Sequence, residues 1–165
     1  MYICGRDEKY RPIVVVNTGR MIEMQLTSEN LQQLTVYVAE YIKENLFIPG
    51  KVENWIFLVD LCNVGILKLP LNALKDLGGT LEKNYRTKLF RMYVVNAPWT
   101  VNMLYGVIKT FDKNIQKKII ISRTNSAPEM FKHVSKKQVE LKYGGTMDTD
   151  LSTAPFSRYL LPIIR

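Results

Sequence analysis

Four stretches of the chain are apolar at nearly every position: Pro12–Asn17 (PIVVVN), Trp55–Leu61 (WIFLVDL), Phe90–Asn96 (FRMYVVN) and Lys118–Ser122 (KIIIS). They are rich in β-branched or aromatic residues and bounded by Gly, Pro or Asn, so each predicts a strand. A strand with one wet face alternates apolar and polar positions. These do not, which predicts a parallel or mixed sheet covered on both faces.

Helical periodicity fills the intervals. Ser28 predicts the cap of a helix running to about Asn45, with Leu31, Leu34, Val38, Tyr41 and Ile42 on one face. A second helix spans about Leu71 to Asn84, carrying Leu74, Leu77 and Leu81, with Tyr85 next in the same spacing. Gly78 and Gly79 weaken its middle or mark close packing. A third follows Pro98 and carries Val101, Leu104, Tyr105, Ile108 and Phe111, and a short fourth covers Pro128 to Lys132. Strand–helix alternation of this length predicts one α/β layer domain over residues 1–165, without repeats or an interdomain linker.

Composition narrows the class. With 165 residues, 47% hydrophobic and 23% charged, the chain can bury a substantial core without staples. Two cysteines (Cys4, Cys62) and one histidine (His133) are too few for a disulfide scaffold or a His/Cys metal site. No apolar run reaches the ~18–20 residues of a transmembrane helix, so a soluble domain of a reducing, cytoplasmic compartment is expected. Twenty-three basic against fifteen acidic residues give a net charge of +8. Nine of the basic residues lie between Lys109 and Lys142, where Asp112, Glu129 and Glu140 are the only acids. Such a strip draws the chain toward phosphates, on nucleic acid or on an anionic membrane.

Catalytic patterns are missing. There is no G-x-x-x-x-G-K-[ST] loop, G-x-G-x-x-G turn or G-x-S-x-G elbow, and the acids are scattered singly. Cys62 follows an apolar strand and is expected to be a buried, inert thiol; His133 is expected at the surface. No enzymatic activity is therefore expected. The unusual element is the third helix, Trp99 to Phe111 (WTVNMLYGVIKTF), which is apolar nearly all round with Lys109 its single charge. Such a helix is buried on all sides, or covers something apolar on one face and meets something apolar on the other. Lying beside a polybasic strip, it predicts a peripheral membrane contact.

At this point the motifs match a family. Gly5-Arg6-Asp7 leading to Arg11-Pro12-Ile13-Val14, Val59-Asp60-Leu61, Tyr93-Val94-Val95-Asn96-Ala97-Pro98-Trp99, Lys118-Ile119-Ile120-Ile121 and Tyr143-Gly144-Gly145 are spread over the chain in order. Together they resemble the CRAL-TRIO lipid-binding domain, of the phosphatidylinositol transfer type. The resemblance implies a single mixed or parallel sheet as a floor, helices packed on it, and a gate helix over a lipid cavity. The implied gate carries Trp99, Val101, Leu104, Tyr105, Ile108 and Phe111. The implied cavity residues are Trp55, Phe57, Val59, Met92, Val94, Ile119 and Ile121, set at the two-residue period that points side chains to one face. Lys109, Lys113 and Lys117 would meet the membrane. The helical subdomain that usually precedes this domain is not expected within the 165 residues, and other domains of a longer parent protein are allowed for.

The resemblance also implies a lipid head-group site. Lys118 stands where family members place a phosphate-binding lysine, Thr87 where a glutamate meets inositol hydroxyls, and Arg86 where a proline precedes it. The phosphatidylcholine pattern is replaced by Val14, Trp55 and Phe57. Three readings follow. The leading one is a phospholipid carrier, with phosphatidylinositol foremost and a sterol, tocopherol or fatty acid as rival ligands. The second is a protein-interaction domain whose pocket is filled by bulky side chains. The third, nucleic-acid binding, rests on charge alone, so nucleic acid is not expected as a partner. Apart from a bound lipid, no cofactor is expected.

Overall fold

The computed structural model describes residues 1–64, 71–99 and 102–148. Its sheet has five strands in sequential order: β1 (Tyr2–Arg6), β2 (Pro12–Asn17), β3 (Trp55–Asp60), β4 (Leu89–Val95) and β5 (Ile119–Ile121). β1 lies antiparallel to β2, and every other neighbouring pair is parallel. Because β2 to β5 step across the sheet in one direction, right-handed crossovers deliver their connecting helices to a single face. Those elements are α1 (Thr18–Glu23), α2 (Ser28–Asn45), α3 (Leu71–Tyr85), α4 (Asn102–Ile108) and α5 (Lys113–Gln116). The opposite face is left for the C-terminal part of the described chain.

That opposite face is closed by three 3₁₀ turns, Pro128–Lys132, Lys136–Gln138 and Leu141–Tyr143. Their segment lays Ala127, Met130, Val134, Val139 and Tyr143 on Ile13, Val15, Ile56, Leu58, Tyr93 and Val95. The alternate positions, Val14, Trp55 and Phe57 among them, turn toward the helices, where Val38, Ala39 and Ile42 of α2 meet them. Strands covered on both sides are why these segments read as unbroken apolar runs.

The predicted elements and the observed ones agree closely for β2 and for α2, which spans Ser28–Asn45. The cap of α2 is Thr27, one residue before the expected Ser28; its hydroxyl accepts from Asn30 N–H at 3.1 Å. Two elements carried too little pattern to be foreseen. β1 is short and broken by an irregularity between Ile3 and Gly5. α1 is six residues long and contains Gly19. The predicted third helix is also shorter than its apolar run: α4 ends at Ile108, and Asp112 then caps the separate α5 through Asn114 N–H. Cys62 is exposed, contrary to expectation, because β3 ends at Asp60 and the chain turns outward; the buried thiol is Cys4. Burial and the nearby Glu140 carboxylate push the Cys4 thiol up to about 12, which keeps it protonated and inert. His133 is half-buried, with its ring edge-on to Phe90 at 5.5 Å.

Three of the family-like motifs meet at one carboxylate. Asp60, 5% exposed at the end of the middle strand, accepts from the Asn96 side-chain amide at 2.7 Å and from Cys62 N–H at 2.8 Å. Its other oxygen accepts from the Tyr143 hydroxyl at 3.0 Å. Tyr143 reaches it because the following glycines permit a tight reversal. Gly144 has φ +81°, and a Cβ on Gly145 would stand 1.8 Å from the Val139 carbonyl oxygen. Burial, then the charge of Asp60, raises the Tyr143 phenol above its ordinary value, so it stays a donor. Hydrogen bonds to a buried charged group are worth about 1.5–3 kcal/mol each. Tyr143→Phe is therefore expected to lower unfolding stability by about 2 kcal/mol in urea titration, with the fold retained. An unchanged midpoint would show that this contact contributes nothing.

Candidate functional site: an apolar cavity between sheet and helices

A cavity of about 320 Å³ lies between the sheet and its helix layer. Phe57, Val59, Met92, Val94, Ile119 and Ile121 supply its floor from β3, β4 and β5. Walls come from Met21 and Ile22 of α1, Leu31 and Thr35 of α2, Leu81 of α3, and Val107, Ile108 and Phe111 around α4. Among the described residues the lining has no charged side chain. Its polar side chains are Thr18, Thr35 and Gln25, and the Thr35 hydroxyl is already bonded to the Leu31 carbonyl at 2.8 Å. Ligand sites usually occupy about 300–1,000 Å³ and are mostly apolar with a few polar groups, so this space is at the small end of that range.

The sequence-predicted cavity residues divide into two groups. Six of the seven line the cavity; Trp55 does not. It faces the same side of the sheet one repeat earlier, where the ends of α2 and α3 close down. There it is 1% exposed and packs against Phe47, Phe57 and Tyr85 at centroid distances of 5.6, 6.0 and 5.8 Å. Tyr85 is tied to α2 through its hydroxyl, which donates to Glu40 at 2.5 Å; burial and this bond push the phenol up to about 12. The aromatic cluster is a plug, not a lining. A side space of about 30 Å³ remains between it and the main cavity, and Phe111 borders both.

Of the residues assigned to the gate, Ile108 and Phe111 face the cavity, while Tyr105 and Trp99 are 47% and 84% exposed. Val101 and the side chain of Leu104 lie outside the described residues. The Arg123 guanidinium lies 4.8 Å over the Trp99 ring. Lys109, Lys113 and Lys117 are all exposed. The expected head-group residues gather before β4 and β5 and do not line the cavity. Lys118 donates to the Leu89 carbonyl at 2.6 Å, Arg86 pairs with Asp112 at 2.9 Å, and the Thr87 carbonyl accepts from Asn54 at 3.4 Å. Among the described residues no helix is long and apolar enough to cross a membrane, and no cluster of His, Cys, Asp or Glu could hold a metal ion.

Most of the lining was not among the residues expected at the cavity or the gate. Met21, Ile22 and Leu26 belong to the α1 region, whose short apolar pairs gave no periodic signal. Leu31 was on the predicted apolar face of α2, but periodicity does not distinguish a residue facing a cavity from one facing the core. Gly78 reports most directly on the geometry. A Cβ there would stand 2.2 Å from the Phe111 ring, so α3 needs a bare backbone at this point to seat that ring. Gly78→Ala should therefore destabilise the chain by about 1–3 kcal/mol through overpacking, outweighing a gain in helix propensity of about 1 kcal/mol. Urea unfolding measures it, and a more stable variant would mean that Phe111 does not occupy this seat.

Comparison with known proteins agrees with this geometry. The CRAL/TRIO domain model matches residues 1–145. "Patellin-3" of Arabidopsis thaliana is 32% identical over 159 residues, covering 88% of this chain and 32% of the relative. "Sec14 cytosolic factor" of Schizosaccharomyces pombe is 26% identical over 148 residues, covering 82% and 52%. "Protein real-time" of Aedes aegypti is 28% identical over 127 residues, covering 69% and 20%. The chain thus spans between a fifth and about half of the length of these relatives. The solved structure described as "Crystal structure of Sfh5" superposes with a TM-score of 0.70 at 16% identity, covering 95% of this chain and 58% of that one. CRAL-TRIO proteins are lipid-binding transfer proteins, and this chain, with its mixed sheet, helix layer and ordered motifs, belongs to the CRAL-TRIO family.

Proposed function

We propose that this chain binds one hydrophobic ligand in the cavity between its sheet and its helices and transfers or presents it at anionic membranes. The observation that carries the proposal is the lining: about 320 Å³ of space bounded by aliphatic, thioether and aromatic side chains, without a charged side chain among the described residues. Water gains little there and hydrocarbon gains much, at ~0.8 kcal/mol for each buried CH₂. A carrier of this kind makes no covalent bond. It exchanges its ligand at a surface, so that the apolar part is not exposed to water on the way. The alternative of a protein-interaction domain with a filled pocket is less well supported, because the bulky Trp55 is accommodated beside the cavity and leaves it open.

The membrane side of the proposal rests on exposed charge and exposed aromatic surface. Lys109, Lys113 and Lys117 are solvent-facing at the α4–α5 region, and Trp99 and Tyr105 present large rings nearby in sequence. Lysines near an anionic surface contribute about 1 kcal/mol each. Phosphatidylinositol is the ligand that the family resemblance favours, with its phosphate at Lys118. The geometry gives that choice less support than it gives an uncharged ligand, since Lys118 is engaged by the Leu89 carbonyl and stands outside the lining.

Two measurements test the proposal. Mass spectrometry of organic extracts from the purified chain should reveal a stoichiometric apolar molecule, and the chain should accelerate movement of a fluorescent lipid between vesicles. Absence of both would overturn it. Replacing Lys109, Lys113 and Lys117 together by alanine should weaken binding to vesicles containing phosphatidylserine on the order of a hundredfold at low salt. Unchanged vesicle binding would remove these lysines from the membrane contact.

A further inference from the structure

We propose that Phe111 sets the depth of the cavity: its ring is a partition between the main space and a second apolar space at the amino ends of the strands, and it fixes the longest hydrocarbon that the site accepts. This rests on the carrier reading above and adds the residue that measures the ligand. The register of the sheet gives the arrangement. Val59, Val94 and Ile121 stand side by side on β3, β4 and β5, and Phe57, Met92 and Ile119 form the next row toward the amino ends. Trp55 and Leu89 pair one row further on. The main cavity lies over the first two rows, and the side space of about 30 Å³ lies over the last two. Phe111 borders both.

The ring is held in place from several sides. A Cβ at Gly78 of α3 would collide with it, so bare helix backbone is its seat. Glycine inside a helix costs propensity relative to alanine, and the seat accounts for its presence there. The main chain at Phe111 is fixed as well. Its N–H donates to the Ile108 carbonyl at 3.1 Å, and its carbonyl accepts from the Gln116 side-chain amide at 2.7 Å. The next N–H, that of Asp112, donates to Glu82 of α3 at 3.0 Å, and the Asp112 carboxylate pairs with Arg86 at 2.9 Å. Phe111 is therefore tied to α3 and α5 and does not depend on α4 alone for its position. The other residues bordering both spaces belong to the floor (Phe57, Met92, Ile119) or to α3 (Gly78, Leu81); Phe111 is the one that enters from the α4–α5 connection.

Beyond the ring the surroundings suit hydrocarbon. Tyr85, Leu89 and Ile115 join Trp55 around the side space. Glu82 is its one charged neighbour among the described residues, and its carboxylate is taken by Asp112 N–H. Moving one CH₂ from water into such a place raises affinity about fourfold. Depth is thus read directly as affinity. With the ring present, methylenes in excess of the main cavity find no apolar space and stay in water. Without it, the two spaces join over three rows of the floor, and the same methylenes are buried.

The test varies probe length. Saturated fatty acids from octanoate to stearate are used to displace diphenylhexatriene from the whole protein, in wild type, Phe111→Ala, Phe111→Leu, and Phe111→Ala combined with Ile115→Phe. The hydrated carboxylate of these probes keeps to a wet opening, so added methylenes report depth. In wild type the affinity should stop rising before stearate. In Phe111→Ala the ratio of stearate to octanoate affinity should be about tenfold higher, and in Phe111→Leu about fourfold higher. Ile115 borders the side space and not the main cavity, so filling that space with Ile115→Phe should return the ratio to the wild-type value. Circular dichroism establishes which variants are folded, and Phe111→Leu decides the matter if Phe111→Ala is not. An unchanged ratio in the folded Phe111 variants would overturn the partition while leaving the carrier intact. A raised ratio that Ile115→Phe does not reverse would overturn the side space as the place where the longer hydrocarbon goes. Failure of every acid to displace diphenylhexatriene from wild type would overturn the carrier reading, and the partition with it.

Discussion

A buried carboxylate at the end of the central strand organises this molecule. Asp60 receives hydrogen bonds from the turn after β3, from the side chain that follows β4, and from Tyr143 in the layer beneath the sheet. An ionised group so far from water is tolerated only when its lone pairs are occupied, and each of these donors comes from a different part of the chain. One residue therefore ties together the carboxyl ends of the strands and the 3₁₀ layer. The sheet is held firmly from that side. Its other face does not need to be filled to keep it in place.

That asymmetry is what permits a hollow. Beneath the sheet, Met130, Val134, Val139 and Tyr143 are each at most 1% exposed and close-packed against the strands. Above it, α2 and the aromatic plug around Trp55 pack on one part of the sheet, and Leu61, Val64 and Ala97, which follow β3 and β4, pack with Val94 at another. The cavity lies between these supports. Its roof combines the long α2 and α3 with two short pieces, α1 of six residues and α4 of seven. Short helices carry little stability of their own and depend on the side chains they bury. Within the roof, α1 and α4 are consequently the pieces able to move at least cost.

Much of this was legible in the chain. Unbroken apolar runs announced doubly covered strands, and the 3.6-residue spacing of Leu31, Val38 and Ile42 announced α2. The family resemblance implied Phe57, Val59, Met92, Val94, Ile119 and Ile121 as a cavity floor, and the two-residue period is consistent with one face for the residues of each strand. Trp55 obeyed the same period but landed outside the cavity, because periodicity gives the face of a sheet and not how closely the opposite layer descends on it. Cys62 was misjudged for a related reason: an apolar run does not mark the residue at which a strand turns out of the core. Lys118, Arg86 and Thr87 hold positions along the chain that match a family pattern, yet their atoms are engaged with Leu89, Asp112 and Asn54.

The central claim is that the space above the sheet is a true cavity and not loosely drawn core. Val94→Phe measures this directly, since Val94 stands on the cavity floor. In a cavity the added ring has room, so unfolding stability should stay within about 0.5 kcal/mol of wild type or rise, while uptake of an apolar fluorescent probe is lost. In a packed core the same ring would force its neighbours apart and cost about 1–3 kcal/mol. That loss of stability, with probe uptake unchanged, would contradict the account.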